Sequence, residues 1–281
     1  MKRLRFGYNT NGFAHHSIED AIEILAELGY DGIAITVDHN HCNILKTTDE
    51  EIASLSRILE QRGLKVVVET GARYFLDRWR KHEPGFVSNE GREERITFTK
   101  KAIDLGKTLQ AEAITICSGR LSPQVDAELA WPILVQGLAD VAEYADKQGM
   151  NIALEPEPGM YIDDLTEYDR LCEEPLLKDR LHLALDIGHV RCSETRSIEE
   201  AILTYRDRIK TIHIEDIKGD VHEHLFFGDG DIDFQPVMNA LSQISFEGLI
   251  NVELSRDSHR AVEMAIKSIG FLHRYNKKER Q

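Results

Sequence analysis

A glycine that closes a helix and is followed at once by an apolar run recurs along the whole chain, and this repeat limits the folds open to it. It reads ELGYDGIAITV (Gly29, Gly32), QRGLKVVVE (Gly63), DLGKTLQAEAITIC (Gly106), KQGMNIALE (Gly149) and FEGLINVEL (Gly248). Glycine beyond the last helical turn supplies a left-handed residue, and a strand can start after it. The runs are short, rich in β-branched residues and nearly continuous, as in GIAITV, KVVVET and AITIC. Such strands are buried on both faces, which a parallel sheet flanked by helices provides. Between them lie amphipathic stretches. SIEDAIEILAELG offers Ser17 as an N-cap and repeats apolar residues at Ile18, Ile22, Leu25 and Leu28.

Strand candidates fall near 4–9, 32–37, 65–70, 112–117, 151–155, 181–186, 209–214 and 249–254, each followed by a helical pattern. Eight units in 281 residues give about 35 residues apiece, the size of a (β/α)8 repeat. The expected fold is an α/β (β/α)8 TIM barrel, parallel strands inside a ring of helices. A doubly wound open sheet alternates in the same way, but no glycine-rich phosphate fingerprint follows the first strand. No Pro/Ser linker divides the chain, so residues 1–281 read as a single domain. The longest irregular stretch, Gly71 to Asn89, follows the third strand. A long loop there is expected to be a lid or substrate loop.

Lys and Arg number 34 against 49 Asp and Glu, a formal charge of −15. That excess argues against a nucleic-acid backbone or an anionic membrane as partner. Cys42, Cys117, Cys172 and Cys192 form no C-x-x-C motif, which fits reduced thiols. No window approaches 18 apolar residues and the first residues lack the run of a signal peptide, so a cytoplasmic protein is expected. The basic end, RYNKKERQ, implies no function.

The candidate chemistry gathers at the ends of the last four runs. NIALEPEPG ends at Glu155, LHLALDIGH ends at Asp186, TIHIED carries His213 and INVELSR carries Glu253. With a period of two, Asn151, Ala153 and Glu155 share a face, as do His182, Ala184 and Asp186. Thr211 pairs likewise with His213, and Asn251 with Glu253. If these faces point into the barrel, three carboxylates and an imidazole meet at its mouth, where a divalent cation would relieve their repulsion. A single late-strand acid is ordinarily a helix cap; repetition on four successive strands is what argues for a site. The donor set suits Mn²⁺, Mg²⁺ or Co²⁺ and admits Zn²⁺ or Fe²⁺.

The motifs ALEPEPG, LDIGH, IHIED with the later GDGDIDF, and NVELS resemble those of the xylose isomerase-like TIM barrels. That family includes sugar isomerases, ketose and sugar-phosphate epimerases, and an AP-endonuclease branch. The resemblance runs from the first strand to the last helix. It implies metal ligation by Glu155, Asp186, His213 and Glu253, and contact of His189 with substrate oxygens. It further implies that Glu155 and Glu253 move protons, one on each side of the substrate carbon. The expected activity is that of a divalent-metal-dependent isomerase or epimerase of a sugar, sugar phosphate or cyclitol-type polyol, through a metal-stabilised enediolate. Expulsion of a β-hydroxyl from the same enediolate would make it a dehydratase or lyase. A metal-dependent phosphoesterase like endonuclease IV and a non-catalytic metal- or sugar-binding barrel are the other readings. A trinuclear phosphodiesterase centre would need histidines ending strands three and four, where this chain has Glu69, Thr70, Cys117 and Ser118.

Further polar groups are weaker signals. His189, His222 and His224 could hold a second metal, although substrate contact or a solvated loop is the preferred reading of the latter two. His39, His41 and Cys42 in DHNHC read as a pocket wall or loop. Glu69 ends the third strand and could face the site, although a cap is the preferred reading. The loop GARYFLDRWRKHEPG collects Arg73, Arg78, Arg80, Lys81 and His82, which would suit a phosphate or carboxylate on the substrate or merely a solvated surface. Trp79 and Tyr74 there could cover a sugar face. Many ketose epimerases place an arginine near the position that Lys218 and Gly219 occupy here. The expected partner is a small polyhydroxy compound, neutral or anionic, and a homo-oligomer would be usual for such barrels.

Overall fold

The computed structural model describes residues 2–276; residues 277–281 of the basic end lie outside it. Eight parallel strands close into a barrel. They are β1 (Arg5–Asn9), β2 (Gly32–Thr36), β3 (Lys65–Glu69), β4 (Ala113–Ile116), β5 (Ile152–Leu154), β6 (Leu181–Asp186), β7 (Ile209–Ile214) and, after a hairpin of β8 (Asp216–Lys218) and β9 (Val221–Leu225), β10 (Leu249–Val252). Around the ring they run β1-β10-β7-β6-β5-β4-β3-β2. Every barrel strand lies inside one of the eight expected runs, although β1 (RFGYN) and β6 (LHLALD) contain no β-branched residue. The hairpin is not among the expected strands, because its two short, mostly polar segments, DIK and VHEHL, carry no continuous apolar run.

The outer ring is α1 (Ile18–Glu27), α2 (Asp49–Arg62), α3 (Arg92–Thr108), α4 (Ala127–Gln148), α5 (Leu165–Glu173), α6 (Ile187–Ser193), α7 (Ile198–Thr204), α8 (Phe234–Gln243) and α9 (Ala261–Leu272). Ser17 caps α1 by accepting from Asp20 N at 3.1 Å. Gly63 and Gly149 end α2 and α4 with φ of 68° and 70°. Gly106 and Gly248 serve another purpose. Gly106 lies within α3, where a Cβ would sit 2.2 Å from Ile114 Cδ1, and a Cβ on Gly248 would meet Lys210 O at 2.3 Å. Both permit close approach between elements.

The apolar core lies chiefly between the strands and the helices, with Phe6, Ile33, Val68, Leu154 and Ile212 scarcely exposed. Inside the barrel Ala113, Ala153 and Ala184 form one small cluster, and Ala34 with the larger Val67 and Leu249 another. Asp186 is in register with His213, and His213 with Asn251, so consecutive inward faces deliver polar groups to one level at the strands' C-terminal ends.

The loop from Gly71 to Asn89 crosses that end without regular structure. Arg95, in the first turns of α3 and only 2% exposed, holds it. Its guanidinium donates to Pro84 O (2.7 Å), Thr70 O (2.9 Å) and His82 O (3.1 Å). A buried cation is tolerated only when its donors are satisfied, and here backbone carbonyls do so. Ala72, Arg73 and His82 sit at φ of 57°, 23° and 66°, a region that costs non-glycine residues about 1–3 kcal/mol each. The loop packs on its neighbour through glycine: a Cβ on Gly85 would lie 2.6 Å from Gly119 Cα, beyond β4. Among the described residues no helix is long and apolar enough to cross a membrane.

Candidate active site at the barrel mouth

His213, at zero exposure, is the hub of the mouth. Its Nδ1 faces three carboxylates: Glu155 Oε1 at 2.9 Å, Glu253 Oε2 at 3.4 Å and Asp186 Oδ2 at 4.0 Å. On the far side Nε2 lies 2.9 Å from Glu69 Oε1. Donation of Nε2–H to Glu69 leaves Nδ1 as the nitrogen available to the carboxylate cluster, the arrangement in which a carboxylate orients a metal-ligating imidazole. Of the two roles open to Glu69, the structure shows the site-facing one in place of the preferred cap: it reaches into the barrel from the end of β3.

Asp186 combines two roles. As N-cap of α6 its Oδ1 accepts from His189 N at 2.9 Å. Its buried Oδ2 has no hydrogen-bond partner and points at His213 and His189. Glu253 Oε1 accepts from Asn11 Nδ2 at 2.7 Å, which turns its other oxygen toward His213. Burial pushes Glu155 well above the usual carboxylate range. Burial works against charge on His213, but Glu155 and Glu69 outweigh it and raise its pKa well above the ordinary imidazole value. A site that holds a proton so firmly among acids offers the same attraction to a divalent cation. Glu155, Asp186, His213 and Glu253 bring one ligand atom each within 4.8 Å of the others. The orphaned Asp186 oxygen and the mixed oxygen–nitrogen set fit such an ion.

Beside this centre stand His189, His222 and His224. His189 Nδ1 donates to Pro156 O at 3.0 Å. Burial lowers its pKa to about 4, so its Nε2 presents a lone pair. That Nε2 lies 3.0 Å from His222 Nε2, which lies 3.0 Å from His224 Nε2. One nitrogen cannot both donate and accept, so at most one of these contacts is a hydrogen bond. Three lone pairs aimed at a cation would resolve the conflict. The hairpin β8–β9 thus carries His222 and His224 inward rather than leaving them on a solvated loop.

Glu215 escaped the sequence reading. It is fully buried, both its oxygens lack hydrogen-bond partners, and Oε2 lies 3.9 Å from His224 Nδ1. Burial, then the charge of Asp186, pushes it well above the carboxylate range. Its spacing of two from His213 put both on one strand face, a signal that was available. Its neighbour Asp216 organises GDGDIDF by accepting from the backbone N–H of Gly228, Gly230 and Ile232.

A cavity of about 210 Å³ opens above both groups, lined by Glu69, Glu155, Glu157, His189, His222, His224 and Glu253 and by the cations Arg73, Lys81, Arg120 and Arg256, with His82. Burial and then Glu253 push Glu157 up to about 7. The strand-three loop divides. Arg73, Lys81 and His82 face the cavity; Trp79 (79% exposed) and Tyr74 (51% exposed) do not line it. Trp79 stacks under Arg78, and Arg80 pairs with Asp77 at 2.7 Å. Among the described residues these two aromatics therefore give the cavity no cover. His41 is spent on Phe13 O at 3.2 Å, and His39 packs on Phe75, so DHNHC is loop structure.

A (β/α)8 barrel with acids and imidazoles at its C-terminal mouth is the architecture of an enzyme-bearing fold class. The xylose isomerase-like TIM barrel model matches residues 22–275, and the chain belongs to that family. An inosose dehydratase of Clostridium tetani is 32% identical over 162 residues, covering 50% of this chain and 53% of that protein, so the match spans about half the relative's length. Fructoselysine 3-epimerase of Shigella flexneri is 25% identical over 267 residues, covering 89% of this chain and 90% of its own. The structure of an L-ribulose 3-epimerase superposes with a TM-score of 0.79 at 18% identity, covering 97% and 94%. That of a Methylomonas sp. D-allulose 3-epimerase in complex with D-allulose superposes at 0.76 and 20% identity, covering 98% of each. At these identities the structural likeness is one of fold.

Proposed function

We propose that this chain is a divalent-metal-dependent isomerase or epimerase of a polyhydroxy ketone, with Glu155 and Glu253 as the acid–base pair. The observation that carries the reading is the approach of both carboxylates to one point, His213 Nδ1, from β5 and β10, which stand three places apart in the ring. Two acids on opposite sides of one position can take a proton from one face of a carbon and return it to the other. Ligation alone does not require two glutamates placed to act as opposed bases, so a non-catalytic barrel is the poorer fit. An ion held by Glu155, Asp186, His213 and Glu253 would polarise adjacent carbonyl and hydroxyl oxygens and stabilise charge as the α-proton leaves. Glu69 keeps His213 oriented, and Asn11 does so for Glu253. His189, His222 and His224 are proposed to hold a second ion over the same cavity. The phosphoesterase reading loses ground, since strands β3 and β4 end in Glu69, Thr70, Cys117 and Ser118, without histidine.

Dehydration is the second reading, favoured by the inosose dehydratase relatives. Turnover in deuterated water distinguishes the cases. Epimerisation leaves deuterium at the reacting carbon, dehydration gives an unsaturated or deoxy product, and turnover without label would refute proton exchange. Glu155→Gln and Glu253→Gln should each lower kcat by about 10²–10⁴.

A further inference from the structure

Four cations stand on the rim of an otherwise acidic cavity, and they come from separate parts of the chain. Arg73 and Lys81 belong to the loop after β3, Arg120 follows β4 and Arg256 follows β10. Arg256 is engaged by Glu223 at 2.7 Å. Arg73, Lys81 and Arg120 have no ion pair within 4.0 Å among the described residues, unlike Arg78 and Arg80 outside the cavity, which are occupied by Trp79 and Asp77. Glu157 lies within electrostatic reach of Lys81, yet burial and then the charges of Arg73, Arg120 and Arg256 leave the Lys81 pKa below its ordinary value.

The backbone that carries the three cations is held in place. Arg95 ties the lid's carbonyls at Thr70, His82 and Pro84 to α3. Left-handed backbone at Arg73 and His82 sets the course of the loop on either side of Lys81. The close contact of Gly85 with Gly119 fixes the lid against the β4 loop one residue before Arg120. Ser118 O accepts from Phe86 N at 3.1 Å and Gly119 O from Tyr161 N at 2.9 Å, which locks that loop further. Like charges converging on one rim without a close ion pair favour an anion, and two guanidinium forks with an ammonium match the oxygens of a carboxylate or phosphate.

We infer that the substrate carries an oxyanion, a carboxylate or phosphate, at the end remote from the reacting carbon, held by Arg73, Lys81 and Arg120. This rests on the proposed action on a polyhydroxy ketone and narrows its substrate class. The acidic centre receives the ketol end; the basic rim receives the anionic end and sets the direction in which the molecule enters.

The test compares D-fructose, D-fructose 6-phosphate and D-fructuronate, which share a ketose head and differ at the far end. Metal-loaded protein should show kcat/KM for one of the anionic ketoses about tenfold or more above that for D-fructose, the phosphate and carboxylate arms identifying the group. In Arg73→Ala and Arg120→Ala that ratio should fall toward one, whereas Arg80→Ala, outside the cavity, should keep the parental ratio. Equal kcat/KM for all three ketoses, or a ratio unchanged in Arg73→Ala and Arg120→Ala, would overturn the inference. Rim cations that only balance the acidic centre would give the latter outcome. Calorimetric titration with the same compounds needs no turnover. Tighter binding of an anionic ketose that is lost in Arg73→Ala and Arg120→Ala would sustain the oxyanion site even if no epimerisation occurs; equal binding of all three would sink it whatever the reaction.

Discussion

Replacing Gly188 by alanine separates two physical effects of opposite sign. Gly188 lies inside α6, where alanine is intrinsically better than glycine by about 0.8–1 kcal/mol. The new methyl, however, would sit 2.1 Å from Glu215 Oε1 and 2.8 Å from Ile217 Cγ1, well inside van der Waals contact. Glu215 is fully buried and has nowhere to retreat except toward Asp186 and His224. Overpacking of this kind costs about 1–3 kcal/mol, so the net expectation is a destabilisation of up to about 2 kcal/mol, always about 1–3 kcal/mol below what the propensity gain alone would give. Gly270→Ala in α9 is the internal control: nothing lies within 4 Å of its added Cβ, and it should stabilise by about 0.5–1 kcal/mol. Urea unfolding at pH 7 reads both changes. Displacing Glu215 should also weaken any ion on His224 by about 10–100-fold, as loss of an orienting carboxylate does. A Gly188→Ala protein as stable as Gly270→Ala, with unaltered zinc or cobalt affinity, would refute the placement of Glu215 and the role given to it.

Two other outcomes are expected. His82 is 7% exposed and its pKa is lowered to about 4, by burial first and then by Lys81, Arg95 and Arg120. An unfolded chain takes up that proton near pH 6.5, so the stability His82 contributes is present above that pH and is lost as the pH falls toward 4. Between pH 7 and 5 the parent should lose about 2 kcal/mol more than His82→Asn in denaturant unfolding, and parallel curves for the two would contradict this. For the metal centres, elemental analysis of the loaded protein should find two ions per chain and one in His222→Ala; a single ion in both would remove the three-histidine site.

The four strand-end residues were legible because their geometry is local. Alternation with period two decides which side chains share a strand face, and parallel strands all end at the same mouth, so Glu155, Asp186, His213 and Glu253 followed from the chain without knowledge of packing. The same rule could have found Glu215 at two residues from His213. Glu69 was different: its contact with His213 spans 144 positions and exists only because the barrel closes. Arg120 and the outward turn of Trp79 lie in irregular segments, where no periodicity says which way a side chain faces. Gly106 and Gly248 were misread as helix ends because a missing Cβ permits both left-handed backbone and close contact, and only the neighbours decide which is used. Eight strand–helix units and the carboxylate–imidazole set at their ends can be read along the chain, since these depend on residues a few places apart. Tertiary structure alone decided which loop cations share the cavity, because that depends on which loops the ring of strands sets side by side.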